Sequence, residues 1–282
     1  MSSDFTIRNA SPKDYENLLD LIYLNAHVHQ HLDWRAPLDW LGHEPFVILE
    51  SEKSILAALS CPTEDSDLAW IRLFACSVRV DIHTAWNILF ESARKTFPTN
   101  SFPTFVALSL QNWFTQLLLN NDFQHLHDIV VLQWSGNLPE RPIIKPRYLL
   151  RPMRLEDLPG VETVDHAAFE HIWQISGMEL QKAYEISAYA TVVQKEDRII
   201  GYQISTANKT NAHLARLAVA NDFQRERLGS ALVFDLLNEF RKRNMKQITV
   251  NTQHTNHKSL ALYGKMNFQI TNERFPVLIY AP

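Results

Sequence analysis

Short apolar runs of strand length alternate along this chain with stretches whose apolar positions recur every three or four residues. Those are the spacings that a pleated strand and an α-helix impose on a face turned towards a core. In the first half, residues 5–8 read as a strand and residues 13–29 as a helix carrying Leu18, Leu19, Ile22 and Leu24. Residues 46–49 and 55–59 read as strands paired around the polar turn 50–53, and 69–77 as another strand. A helix over 82–95, a strand over 104–109, a helix over 110–121 and a strand over 129–134 complete that half. In the second half the pattern predicts a strand over 148–151, helices over 155–169 and 178–186, and a hairpin of 189–194 with 199–206. Then come a strand over 212–219, a helix over 224–241, a strand over 248–252, a helix over 257–266 and closing strands at 268–270 and 277–280. Both halves read as mixed α/β (α+β) domains.

The halves resemble each other. Ile7-Arg-Asn-Ala-Ser-Pro-Lys-Asp14 matches Leu150-Arg-Pro-Met-Arg-Leu-Glu-Asp157 at an offset of 143 residues, and Leu119-Asn-Asn-Asp-Phe123 matches Gly264-Lys-Met-Asn-Phe268 at 145. Two landmarks at nearly one offset indicate duplication of a whole domain. Residues 135–146, SGNLPERPIIKP, hold three prolines and a glycine, as an extended linker does. The expected domains are therefore 1–145 and 146–282.

Composition narrows the class. The 282 residues are 46% hydrophobic and 21% charged, enough for a sizeable core, and carry a net charge of −4 without a basic run. Nucleic-acid binding needs clustered Lys and Arg, so it is not expected. No apolar stretch reaches bilayer length and no signal-peptide pattern opens the chain, so the expectation is a cytoplasmic protein without a membrane partner. Cys61 and Cys76 fall in apolar strands and read as reduced core residues. On a helix, His27 and His31 of HVHQH would share a face and could hold a metal, but no acidic third ligand follows at helical spacing. A solvated helix end is the simpler reading, and no metal is expected. Trp34 and Trp40 lie in a loop that either lines a groove or packs on the core.

The stretch 214–233, LARLAVANDFQRERLGSALV, carries the candidate chemistry. An apolar strand runs through a turn into an amphipathic helix, and Gly229 permits close backbone approach. Amides of a helix's first turn lack intrahelical partners and sit at the positive end of its dipole, so such a loop is a candidate anion cradle. The first half offers no equivalent. It has no glycine between residues 43 and 135, and Asp81 at its corresponding helix start would repel an anion.

Gln224-Arg225-Glu226-Arg227-Leu228-Gly229, followed by Asn256-His-Lys-Ser259-Leu-Ala-Leu262-Tyr263 and Asn267-Phe268, resembles the GCN5-related N-acetyltransferase (GNAT) superfamily. The likeness spans about residues 147–282 and rests on two motifs in the right order; over 1–145 it rests on the repeat. It departs from the family pattern at Arg227, which stands at a glycine position, and at Asn267, which replaces the glycine before Phe268. The resemblance implies two tandem GNAT-like domains, each a mixed, mostly antiparallel twisted sheet flanked by helices, with the first copy degenerate. It implies acetyl transfer from acetyl-CoA to an amine-bearing small molecule or peptide by direct attack. Leu217, Ala218 and Val219 would pair with the pantetheine arm, and the amides of Gln224, Arg225, Glu226, Arg227, Leu228, Gly229 and Ser230 would hold the pyrophosphate. Asn256 and Ser259 would lie beside pantetheine, and Tyr263 would be the general acid.

His213, Glu170, His171 or a water chain remain open as the base. A cooperating first domain would shape the acceptor groove, and the assembly would be a monomer or homodimer. The alternative is a non-catalytic acyl-CoA-binding or interaction module, which a cofactor loop blocked by Arg227 would favour.

Overall fold

A computed structural model describes residues 5–52, 54–63, 67–98 and 102–281. The chain forms two compact units, one of residues 1–127 with 275–282 and the other of residues 128–274. In the first unit the order is β1 (Thr6–Asn9), α1 (Tyr15–Leu24), β2 (His27–Gln30), β3 (Phe46–Ser51), β4 (Ser54–Ser60), β5 (Leu68–Trp70) and β6 (Leu73–Cys76). It continues with α2 (Ile82–Arg94), β7 (Thr104–Leu108), α3 (Asn112–Leu119) and β8 (Gln124–Trp134), whose last residues belong to the second unit. The second unit follows with β9 (Leu149–Pro152), α4 (Leu158–Ala168), α5 (Gly177–Glu185), β10 (Tyr189–Lys195), β11 (Arg198–Ala207) and β12 (Asn211–Val219). It ends with α6 (Leu228–Lys242), β13 (Gln247–Gln253), α7 (His257–Lys265) and β14 (Phe268–Tyr280). No described helix is long and apolar enough to cross a membrane.

The duplication is written into the register of both units. Arg8 donates to both oxygens of Asp14 at 2.8 and 2.7 Å, and Arg151 to both of Asp157 at 2.7 Å. Each aspartate also accepts a backbone N–H three residues upstream, from Ser11 and from Arg154, at 2.8 Å. The bidentate pair fixes the first strand against the turn that starts the first helix. It holds each carboxyl below its ordinary range, through the arginine's hydrogen bonds first. Likewise β5 pairs parallel with β7 (Leu68 with Thr104), and β12 with β13 (Asn211 with Gln247), again 143 residues apart.

In the second unit the strands run β8-β13-β12-β11-β10-β9, antiparallel except for β12 with β13. In the first, an antiparallel sheet runs β1-β3-β4-β6-β2, and β5, β7 and the end of β14 form a second group of strands. This matches the mixed, mostly antiparallel sheet flanked by helices that the sequence implied. Trp86, Phe105, Phe114 and Leu278 centre one core of the first unit, and Leu18, Trp40 and Ile48 another. Leu236, Phe240, Ile248 and Met266 centre the main core of the second.

Three expectations are corrected. The division does not fall at residue 145. Residues 135–146 belong to the second unit, where Trp134 Nε1 and Asn267 Nδ2 both donate to the Asn137 carbonyl at 3.1 and 3.0 Å. Proline makes a stretch extended, but does not stop its carbonyls and side chains from packing. The segment expected as one helix over 13–29 ends at Leu24, and its HVHQ portion is strand β2, paired antiparallel with β6. Histidines 27, 29 and 31 therefore fall on one face. Each meets an aromatic ring, His29 stacked on Phe114 at 3.9 Å, His27 edge-on to Trp113 and His31 tilted against Trp70, and no metal-holding cluster occurs among the described residues. The strand expected over 69–77 breaks at Ile71 and Arg72 into β5 and β6. Trp40 is buried, with Arg35 and Arg72 over its ring at 4.5 and 4.6 Å, so for that residue the loop packs on the core.

The last strand makes the first unit depend on the end of the chain. Val277 and Leu278 are buried and pair with Leu108 and Ala107 of β7. Ending the chain after Arg274 is expected to cost the first unit about 3–5 kcal/mol, the scale of losing a large buried side chain. Hydrogen exchange should then rise over β6, β7 and α2 while β11 and α6 keep their protection.

Candidate functional site

The site is built where β12 outruns its parallel neighbour. β13 pairs with β12 over Asn211 to Leu214 only, whereas β11 pairs with β12 as far as Val219. Between them the register slips, leaving Ala215 as an extra residue on β12. From Arg216 to Val219 the outer edge of β12 has no strand beside it among the described residues. Ala220 donates its N–H to the Ile200 carbonyl at 2.9 Å, on the β11 side. Successive residues of a strand point their backbone groups to opposite sides, so the N–H of Val219 and of Leu217 face the open edge. Gln224 Nε2 donates to the Val219 carbonyl at 3.3 Å and ties the following loop to that strand.

The loop has an unusual backbone. Arg225 and Arg227 both have φ near +63°. The Arg227 position keeps the left-handed conformation that a glycine would adopt freely, which costs a non-glycine residue about 1–2 kcal/mol. Alternation of left- and right-handed residues turns successive N–H groups to one side, the arrangement of an anion-binding nest. Arg227 is the N-cap of α6 and gives it no side-chain cap. Among the described residues nothing accepts a hydrogen bond from the N–H groups of Arg227, Leu228, Gly229 and Ser230. Leu228 is buried, so it contributes its amide and anchors the loop, while Arg225 and Arg227 keep exposed side chains.

Glu226 places a carboxylate in this loop. It accepts from Lys145 Nζ and the Tyr148 hydroxyl at 2.7 Å each, and from Arg147 at 3.2 Å. Those partners, Lys145 foremost, push its pKa down to about 2. Lys145 and Arg147 thus offset this carboxylate, and Arg225 and Arg227 add two exposed cations to the same loop. Such a field favours a polyanion.

A Cβ added at Gly229 would lie 3.3 Å from Leu262 Cδ2 and 3.9 Å from Val219 Cγ2. The start of α6, the end of β12 and α7 therefore meet at this glycine. On α7, Asn256 is the N-cap and accepts the N–H of Ser259 at 3.1 Å. Asn256, Ser259 and Tyr263 fall at i, i+3 and i+7, along one face. Tyr263 is 5% exposed and packs against Phe268 at 5.7 Å; burial raises its hydroxyl's pKa, so it stays protonated through neutral pH. Asn267, in the second departure from the motif, has φ +64°, again a left-handed position that asparagine tolerates.

The base candidates are scattered. Glu170 and His171 are exposed in the loop after α4. His213 lies six residues before Val219, about 20 Å along the strand. It lines a separate cavity of about 360 Å³, bonds Thr249 Oγ1 at 2.9 Å, and is pushed down to about 4 by burial. Pattern reading missed a buried cluster. Arg216 bonds both oxygens of Asp165 at 2.6 and 2.9 Å, and Tyr202 donates to the same carboxylate. No motif marks these residues, because the pairs are 51 and 37 positions apart.

The first unit fills both features with its own chain. At the repeat offset, Leu73 to Cys76 stand where Arg216 to Val219 do, and there β2 pairs along the whole edge, His27 with Cys76 through Gln30 with Leu73. At the start of α2, Asp81 accepts the N–H and hydroxyl of Thr84 at 2.8 and 2.9 Å, so a carboxylate of the protein already takes the helix's free amide. In that unit Gln111 caps α3 where Asn256 caps α7, without the side-chain bond.

Two measurements check this geometry. Replacing Arg227 with glycine is expected to leave stability within about 1 kcal/mol, relief of the left-handed cost being offset by glycine's greater unfolded freedom, whereas Arg227→Val should lose about 1–2 kcal/mol in denaturant unfolding. The Glu226 carboxyl should titrate near pH 2 by NMR. Its folded pKa is depressed, so the stability it lends is present above the ordinary glutamate range and fades as pH falls towards 2. Lys145→Ala should move the midpoint up towards about 4.3, the ordinary value.

The model of the acetyltransferase (GNAT) family matches residues 158–268. A Bacillus subtilis (strain 168) protein, provisionally described as a ribosomal protein bS18-alanine N-acetyltransferase, is 21% identical over 126 residues, 45% of this chain and 83% of that relative. Among solved structures, a tandem GNAT protein from the clavulanic acid biosynthesis pathway superposes with a TM-score of 0.69 at 13% identity, covering 99% of each chain. A GCN5-related N-acetyltransferase from Sphaerobacter thermophilus gives 0.65 at 12% identity, covering 98% of this chain and 95% of that one. At such identities the structural likeness is one of fold. Residues 158–268 thus match the model of the GNAT acetyltransferase family, and over its whole length the chain has the fold of a tandem GNAT protein.

Proposed function

We propose that the second unit transfers the acetyl group of acetyl-CoA to an amine, and that the first unit is a degenerate copy that binds no acetyl-CoA. The observation that carries the reading is the pairing of an open β12 edge with a nest of free amides in the second unit, against the same two features closed by β2 and Asp81 in the first.

The residues present fit the cosubstrate. The edge of Leu217, Ala218 and Val219 offers backbone partners to the amides of a pantetheine arm, as an added strand would. The amides from Gln224 to Ser230, within their cationic surround, suit a pyrophosphate. Asn256 and Ser259 would flank the arm from α7. Acetyl-CoA supplies an activated thioester. The N–H of Val219 donates to the thioester oxygen as negative charge develops there, an interaction worth about 3–4 kcal/mol in comparable sites. As the acceptor nitrogen forms the new C–N bond and the C–S bond breaks, Tyr263 gives its proton to the departing sulfur. A hydroxyl kept protonated by burial suits that role. The ammonium proton of the acceptor leaves through Glu170, His171 or water, His213 being too far along the strand.

The acceptor is an amine-bearing small molecule or peptide. The loop 169–176 carries Phe169, Trp173 and Glu170, which suits a cationic amine. The relative's description names an alanine of a ribosomal protein, so alanine-initiated peptides belong in the panel beside small amines.

Calorimetry should give one acetyl-CoA per chain; two would overturn the reading of the first unit. CoA release across the amine panel should be about 100-fold slower for Tyr263→Phe, with acetyl-CoA affinity within threefold. Tight binding without turnover of any amine would point instead to an acyl-CoA-binding module.

A further inference from the structure

Arg216 is the first residue of the open edge, and its side chain reaches the loop 169–176. The guanidinium bonds both oxygens of Asp165, donates to the Trp173 carbonyl and lies 4.0 Å over the Phe169 ring. Asp165 is fully buried on α4, Tyr202 donates to it from β11, and Arg216 is itself 11% exposed. The loop leans on the same carboxylate, because the N–H of Ile175 reaches Asp165 at 3.4 Å. One planar donor set thus touches the residue that ends α4, the middle of the loop, and the strand that carries Leu217 to Val219.

We propose that Arg216, locked by Asp165 and Tyr202, is a positioning residue that sets the conformation of loop 169–176, with Phe169 and Trp173, against the open edge of β12, and so governs recognition of the amine. The proposal rests on the transferase reading above. The physical case is one of geometry. An arginine can hold two carboxylate oxygens, a carbonyl and an aromatic face at once because its donors are planar and fixed, whereas a lysine offers one point charge. Burial makes the set all-or-none. Removing the arginine alone leaves the buried Asp165 without its cation, so a variant that replaces both residues is needed to separate loop position from folding.

The experiment compares the full-length wild-type chain with Arg216→Lys and with Arg216→Met combined with Asp165→Asn. Hydrogen exchange is followed by mass spectrometry with and without acetyl-CoA, and acetyl-CoA affinity is measured by calorimetry. Exchange over residues 169–176 should quicken at least tenfold in both variants, with α6 and β13 unchanged and acetyl-CoA affinity within threefold. On the first amine found to turn over, KM for the amine should rise about tenfold with kcat and KM for acetyl-CoA within threefold. Loop exchange equal to wild type in both variants would overturn the proposal. So would equal acceleration across α6 and β13, which is the mark of a purely structural residue. If acetyl-CoA does not bind the wild type, the transferase reading falls, while the exchange comparison still decides whether Arg216 sets the loop.

Discussion

A strand edge must satisfy its N–H and C=O groups somehow, and that requirement organises this protein. β12 parts from β13 after Leu214, and from Arg216 to Val219 the edge away from β11 has no strand beside it among the described residues. The bulge at Ala215 makes the parting possible, because the extra residue breaks the ladder and redirects the strand. The rest of the second unit's candidate site is arranged around that edge: the nest of α6 beyond its end, α7 against Gly229, and the loop after α4 tied to its first residue.

The first unit meets the same demand in a different way. Its corresponding strand, β6, is satisfied by the chain itself, through β2. The corresponding helix start is satisfied by Asp81. A duplicated fold thus keeps its scaffold, down to the bidentate pairs Arg8–Asp14 and Arg151–Asp157, while one copy closes what the other leaves open. The histidines of β2 have a structural role in this closure. His27 meets Trp113 edge-on, His29 stacks on Phe114, and burial pushes His29 down to about 3, so that residue brings no charge into the core.

The loop before α6 shows how a departure from a motif can keep a left-handed backbone position. Arg227 stands where the family pattern has glycine, yet it adopts φ +63° and stays exposed, so the backbone path survives the substitution. The conformational cost is local, and the side chain adds a cation beside the free amides. Glu226, which alone would oppose an anion there, is neutralised by Lys145 of the proline-rich stretch and by Arg147 just after it. That stretch is therefore part of the second unit's electrostatics.

Pattern and motif were enough to read the alternation of strands and helices, the duplication, the family likeness of the second half and the neighbourhood of residues 217–230 and 256–263. Each of these is encoded locally, in apolar spacing or in residues close along the chain. The ends of the helix at 13–29 and the strand at 69–77 were misread, because pairing with a distant edge overrode local preference: HVHQ became a strand only because β6 offered it a ladder. The place where the units divide, the closed edge of the first unit and the Asp165–Tyr202–Arg216 cluster were invisible for the same reason. They depend on residues 37 to more than 100 positions apart, and only the packed chain brings those together.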